Sequence, residues 1–154
     1  QTLNIAAELG LMVQEEAFDT WYGGKKQYDY GRFFEKDATH PEARKGDTWS
    51  DYDLRTMVER DKNNPAIVMW SIGNEVMEQQ NVEMTKHLVD IVKSLDKTRP
   101  VTNGYNDPNG GRASGASMAL DVMGVNYFFY EQARWDADER YKNKPTIGTE
   151  LLPA

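Results

Sequence analysis

The sequence predicts an α/β chain in which parallel strands alternate with helices. Ala66-Ile67-Val68-Met69-Trp70 is an unbroken apolar run, the pattern of a strand buried on both faces. Shorter runs of the same kind recur along the chain with helix-period stretches between them. Each run also turns abruptly polar at its end, as in Gln14-Glu15-Glu16, Gly73-Asn74-Glu75, Asn126-Tyr127 and Thr149-Glu150. In α/β proteins the carboxyl ends of the strands are where ligands bind and chemistry happens.

Composition narrows the classes. At 154 residues the chain has the size of one domain and can bury a core. Apolar residues at 39% and aromatics at 11% fit a globular chain, although a mean hydropathy of −0.76 is rather polar. A net charge of −7 without a basic cluster disfavours nucleic acid and anionic membranes as partners. No apolar run approaches the ~18 residues of a membrane span. There is no cysteine, so disulfides and thiolate metal sites are excluded and the compartment stays open. Gln1-Thr2-Leu3-Asn4 does not read as a signal peptide, and both ends read as interior to a larger protein.

Thr2 to Leu9 reads as the last turns of a helix, with Gly10 as its left-handed stop. Leu11-Met12-Val13 begins the first strand, which ends in Gln14-Glu15-Glu16. Asp19 to Thr48 shows no clear periodicity, and a connection of that length is usually a functional loop. Ser50, with Asp53 three positions on, reads as an N-cap. Leu54, Met57 and Val58 then form a buried stripe that stops at Asn63-Asn64-Pro65. Pro65 bars a helix from running into the central strand, where Gly73 is expected to allow a tight turn.

Met84, Leu88, Ile91, Val92 and Leu95 follow at helical spacing. Val101 to Tyr105 is the third strand, and Asn106 to Gly111 carries loop signals throughout. A short Ala/Ser/Met stretch reaches Leu120, Val122 to Tyr127 is the fourth strand, and Glu131 to Tyr141 reads as an amphipathic helix with a thin stripe. Thr146 to Thr149 is the last strand. Units of about 30 residues build an eight-fold barrel of roughly 250 residues. Seventy-five positions separate Glu75 from Glu150, so their strands lie two to three units apart and face each other across a barrel mouth. Two glutamates so placed point to a glycosidase pair.

Arg60 to Glu75, with Asn63-Asn64-Pro65 and Trp70-Ser71-Ile72-Gly73-Asn74-Glu75, closely resembles the acid/base signature of glycoside hydrolase family 2. Leu9 to Phe18 is similar to that family's third barrel strand, Asp96-Lys97-Thr98-Arg99-Pro100 to its helix-four junction, and Lys144 to Glu150 to its nucleophile strand. The resemblance covers the whole chain and is strongest to large β-galactosidases of Gram-positive bacteria, whose loop is similar to Asp19-Thr20-Trp21-Tyr22-Gly23-Gly24. It implies strands three to seven of a (β/α)8 TIM barrel, as one partial catalytic domain over residues 1–154. It also implies a secreted or cell-surface enzyme; without it a cytoplasmic one is expected.

By that resemblance Glu75 is the acid/base and Glu150 the nucleophile of a retaining enzyme acting on β-galactosides. Such an enzyme needs two carboxyl groups roughly 5–5.5 Å apart, one protonated and one ionised. Asn74 is expected to bond the sugar 2-hydroxyl, and Tyr127, beside Asn126, the nucleophile. Glu16 or Glu15 is expected either to order the site or not to touch sugar. Asp19, Trp21 and Tyr22 are candidates for a sugar platform or for loop packing, and His40 and His87 for structural and surface positions. No cation stands out near either glutamate to favour a glucuronide, and no metal or cofactor is expected. Open strand edges are expected to pair with a second copy of the chain. Competing readings are an inactive carbohydrate-binding or scaffold fragment, the same mechanism on a β-glucuronide or β-mannoside, and a flavodoxin-like nucleotide binder. Gln14-Glu15-Glu16 is hostile to the phosphate that the last would hold.

Overall fold

The computed structural model describes residues 1–128, 130 and 135–151. Helix α1 (Thr2–Glu8) leads into strand β1 (Val13–Glu16). A long connection carries the short helix α2 (Gly31–Phe34) to helix α3 (Trp49–Asp61), then strand β2 (Ile67–Asn74). Helix α4 (Val82–Leu95), strand β3 (Val101–Tyr105), helix α5 (Pro108–Ser114) and a 3-10 turn (Ala116–Ala119) follow. Strands β4 (Met123–Asn126) and β5 (Thr146–Glu150) come last. Glu131–Arg134, the start of the expected last helix, lie outside the described residues.

The five strands form one parallel sheet in the order of the sequence, β1-β2-β3-β4-β5. That order never reverses, whereas a flavodoxin-like sheet must reverse at its binding crevice. It is the arc of a (β/α)8 barrel, whose strands follow one another around the ring. Leu54 and Val58 of α3 and Leu88 and Val92 of α4 join Trp70, Ile72, Val101 and Val125 in one buried cluster. No helix among the described residues is long and apolar enough to cross a membrane.

Local sequence rules explain most boundaries. Gly10 takes φ +71°, and Leu11 N–H returns to Ala6 O at 2.9 Å, closing α1 as the glycine predicts. Leu11 and Met12 stay exposed before β1 rather than inside it. The cap of α3 is Thr48, not Ser50: its hydroxyl accepts from Asp51 N, and Asp51 accepts from Thr48 N at 3.0 Å. The Asn106–Gly111 stretch expected as loop starts α5, because Asp107 caps Gly110 N and Pro108 suits the first helical turn. The central run is not uniformly buried either. Val13 pairs with Ile67 and Gln14 with Met69, so Val68 is the extra residue of a β-bulge and remains 40% exposed.

The amino-terminal end of the sheet is pinned by Asp96. Its side chain, 4% exposed, accepts from Trp70 Nε1 at 2.9 Å, Thr98 N and Oγ1, and Arg99 Nη1 at 2.8 Å. Arg99 in turn donates to Ile67 O and Asn64 O, so one carboxylate ties α4 to the start of β2. Burial alone would raise the Asp96 pKa, but these donors outweigh it and hold the group well below the usual carboxylate range. Asp96→Ala leaves the guanidinium and the indole N–H without their acceptor and is expected to cost about 3 kcal/mol of stability. Chemical denaturation of the full-length protein reads this as a lower midpoint at unchanged slope.

Neighbouring carboxylates on β1 go to different places. Glu15 meets Arg60, which bonds it at 3.3 Å, and Asp61, at the end of α3. Burial first, and Asp61 second, push Glu15 from 4.5 up to about 7 against the pull of Arg60. The folded state therefore keeps a proton that the unfolded chain has already released. This contribution is complete below pH 4.5 and is lost as pH rises through about 7. Glu15→Gln is expected to flatten the fall in melting temperature across that window. An unchanged slope in circular-dichroism melts would assign the titration to another group.

Candidate active site

All five strands end on one rim, and the rim carries the polar residues. Glu75 follows β2 and Glu150 ends β5. Glu75 and Tyr127, each directly after a strand, adopt φ +48° and +64°. Left-handed backbone is unfavourable for residues with a Cβ and is kept where the surroundings impose it, often at functional sites. Glu75 N–H bonds Gly104 O, and Tyr127 N–H bonds Glu150 O, both at 2.8 Å, so main-chain contacts across neighbouring strands hold both conformations.

At the centre stands Asn126, which has no exposed surface. Its Nδ2 lies 2.9 Å from Glu75 Oε1, 2.9 Å from Glu150 Oε1 and 3.0 Å from Asn74 Oδ1. Two carboxylate oxygens on one nitrogen can be no further apart than the sum of their two bonds. That ceiling leaves room for the roughly 5–5.5 Å between the carboxyl groups of a retaining pair. Tyr127 donates its hydroxyl to the other oxygen of Glu150, so each oxygen of that carboxylate has its own donor. The same bond pushes the phenol up to about 12.

Asn74 continues the network outward. Its Nδ2 donates to Asp19 Oδ1 at 3.2 Å, and Asp19 also accepts from Lys25 Nζ at 2.9 Å. Lys25 reaches the backbone of Asn74 as well, bonding its carbonyl at 2.7 Å. Burial would raise Asp19, but the Lys25 and Asn74 bonds outweigh it and keep the carboxyl low. Glu16, Asn74, Thr149 and Glu150 line a cavity of about 430 Å³ together with Gln14 and Gly148. Glu16 accepts from Ser71 Oγ at 2.7 Å, and its pKa is raised, chiefly by burial and also by the charge of Glu150. Of the two acidic residues on β1, Glu16 is thus the one that faces the site.

Glycines set the spacing. Gly73 does not turn the chain but stays within β2. A Cβ there would fall 2.8 Å from Asn103 Oδ1 and 3.0 Å from the Trp21 indole nitrogen. A Cβ on Gly104 would press on the amide oxygens of Asn74 and Asn126 at 3.2 and 3.3 Å.

Trp21 takes the second of its two expected roles, loop packing. Its ring has no exposed surface and its Nε1 donates to Ile72 O at 2.9 Å, so it offers no face to a sugar. It packs the loop against β2 beside Phe34, because an apolar indole gains more from the core than from a wet rim. Tyr22 is 37% exposed and its hydroxyl accepts from Asn81. His40 stacks on Tyr52 and bonds its hydroxyl at 2.7 Å, while His87 bonds Asp51 on the surface of the helix pair. Lys25, Ser71 and Thr149 escaped the sequence reading. Only Thr149 had a signal, its place beside Glu150; the other two are brought in by tertiary contacts.

The family model described as "Glycosyl hydrolases family 2, TIM barrel domain" matches residues 1–152. Beta-galactosidase BoGH2A of Bacteroides ovatus is 34% identical over 97% of this chain, which spans 20% of that protein. A beta-glucuronidase of Paenibacillus borealis is 33% identical over 63% of the chain, 19% of its own length. The chain therefore spans about a fifth of each of these curated relatives. The crystal structure of a glycosyl hydrolase family 2 member from Bacteroides cellulosilyticus superposes with a TM-score of 0.79 at 34% identity, covering 96% of this chain and 17% of that one. The chain belongs to glycoside hydrolase family 2 and forms part of its catalytic barrel.

Proposed function

We propose that these residues form the catalytic centre of a retaining glycoside hydrolase that removes terminal β-galactosyl groups. The observation that carries this reading is the single Asn126 nitrogen bound to both Glu75 and Glu150 at 2.9 Å. Glu150, with one oxygen held by Asn126 and the other by Tyr127, attacks the anomeric carbon. Glu75 protonates the departing oxygen, then takes a proton from the water that hydrolyses the glycosyl-enzyme. Asn74, fixed between Asn126 and Asp19, is placed to donate to the sugar 2-hydroxyl, a contact that tightens at the transition state. Asp19 acts mainly by holding Asn74 and Lys25.

Electrostatics favours a neutral sugar. Glu16, Asp19, Glu75 and Glu150 gather at this rim, and Lys25, the cation that the sequence reading missed, already bonds Asp19. A uronate carboxylate brought here would meet like charges without a free cation among the described residues named above. The name of the Bacteroides ovatus relative agrees with a galactoside, and that of the Paenibacillus borealis relative represents the alternative, a glucuronide.

Two experiments on the full-length protein test these points. Nitrophenyl β-galactoside is expected to exceed nitrophenyl β-glucuronide by at least roughly 100-fold in kcat/KM; the reverse preference would replace the sugar and keep the mechanism. Azide should rescue Glu75→Ala on an activated galactoside, giving the β-galactosyl azide, because azide attacks the glycosyl-enzyme without a base. Glu150→Gly should give the α-azide, with attack from the vacated face. NMR of the products decides the roles, and the opposite pairing would exchange acid/base and nucleophile.

A further inference from the structure

We propose that Thr149 is a positioning residue of this site, its hydroxyl holding the Asn126 amide so that one nitrogen faces both glutamates. This role presupposes the glycosidase reading above and concerns how the pair is kept in place. Strands β4 and β5 lose register at the rim: Val125 pairs with Gly148, but Asn126 pairs with Glu150. Thr149 is the extra residue, the residue of a β-bulge. In a regular strand Thr149 and Glu150 would point to opposite faces of the sheet. A bulge sets two consecutive residues against one partner and re-aims their side chains.

Here both reach the same amide. Thr149 Oγ1 donates to Asn126 Oδ1 at 2.5 Å, and Glu150 Oε1 accepts from Asn126 Nδ2 at 2.9 Å. Gly124 supplies the room, since a Cβ there would fall 2.9 Å from the Thr149 methyl and 2.5 Å from Asn103 O. The methyl against Gly124 also restricts the threonine rotamer, which keeps the hydroxyl aimed. Asn126 is fully buried, so its carbonyl oxygen has no route to bulk water. Without the Thr149 donor that oxygen loses its partner, and the amide is freed to rotate away from the two carboxylates. Thr149 thus acts on the reaction through Asn126.

The test uses Thr149→Val, which keeps the shape and removes the donor, and Thr149→Ser, which keeps the donor and removes the methyl. In the full-length protein, with an activated aryl galactoside, Thr149→Val is expected to lower kcat roughly tenfold. Its KM should stay within about twofold, and its melting temperature should fall by only a few degrees, the cost of one buried acceptor left without its donor. Thr149→Ser should keep kcat within about threefold. In an Asn126→Ala background, Thr149→Val should produce no further loss, because the group it positions is gone. Unchanged kcat in Thr149→Val, an equal loss in Thr149→Ser, losses that multiply in the double variant, or a loss matched by unfolding would each overturn the proposal.

A protein that hydrolyses no aryl glycoside would instead refute the glycosidase reading. The amide can then be followed directly. The Asn126 side-chain NH₂ protons, assigned by comparison with Asn126→Ala, should exchange slowly in the unmodified protein and at least tenfold faster in Thr149→Val. Equal exchange in the two would overturn the positioning role without reference to activity.

Discussion

Two carboxyl groups at the mouth of this sheet meet on one neutral amide. Asn126 Nδ2 is the shared donor for Glu75 and Glu150, and much else at the rim serves to keep it there. Parallel strands in sequence order bring the three residues to the same end of the sheet. Positive φ at Glu75 and a bulge before Glu150 turn both carboxylates toward the amide. Gly104, lacking a side chain, leaves space for the amide oxygens on the neighbouring strands. Backbone irregularities at this rim therefore fall where two carboxyl groups are held close together, in conformations that the surrounding strands impose.

The two ends of the sheet have different tasks. At the amino-terminal end, the Asp96 carboxylate receives Trp70, Thr98 and Arg99 and ties α4 to β2. At the carboxyl end, Glu16, Asn74 and Glu150 line a cavity, with Glu75 joined to Glu150 through Asn126 and Asp19 bonded to Asn74 and Lys25. This division, stability below and chemistry above, is the general arrangement of (β/α)8 barrels. It follows from the strand direction, since every strand delivers its last side chains to the same rim. The long connection after β1 adds a side wall: Trp21 and Phe34 anchor it in the core, which allows Asp19 and Lys25 to stand at fixed positions beside Asn74.

The alternation of short apolar strands with helical stripes was legible in the sequence, and so was the polar switch at each strand's end. Those features depend on residues close together in the chain, through periodicity and burial. Glu75, Glu150, Asn74, Asn126 and Tyr127 could be singled out because each sits at such a switch. Gly10 as a helix stop was legible for the same local reason. Capping proved less so: Thr48 with Asp51 and Ser50 with Asp53 share one spacing, and the structure closes the first as a capping box. Asp107-Pro108 reads as a turn in the sequence, whereas the structure makes it a helix start, the same residue types serving both.

Sequence by itself determined the strand-helix order and which carboxylates would arrive together, because burial and periodicity act along neighbouring residues. Tertiary structure decided what each polar group touches. Trp21, a plausible sugar platform in a polar loop, is drawn into the core, and Lys25 is carried 49 positions across the chain to the carbonyl of Asn74. Glu15 and Glu16, adjacent in sequence, part toward a helix end and a cavity because side chains alternate along a strand. Register shifts such as the one that turns Thr149 toward Asn126 leave no mark in the sequence. A bulge is a property of two strands paired together, and only their pairing reveals which residue is the extra one.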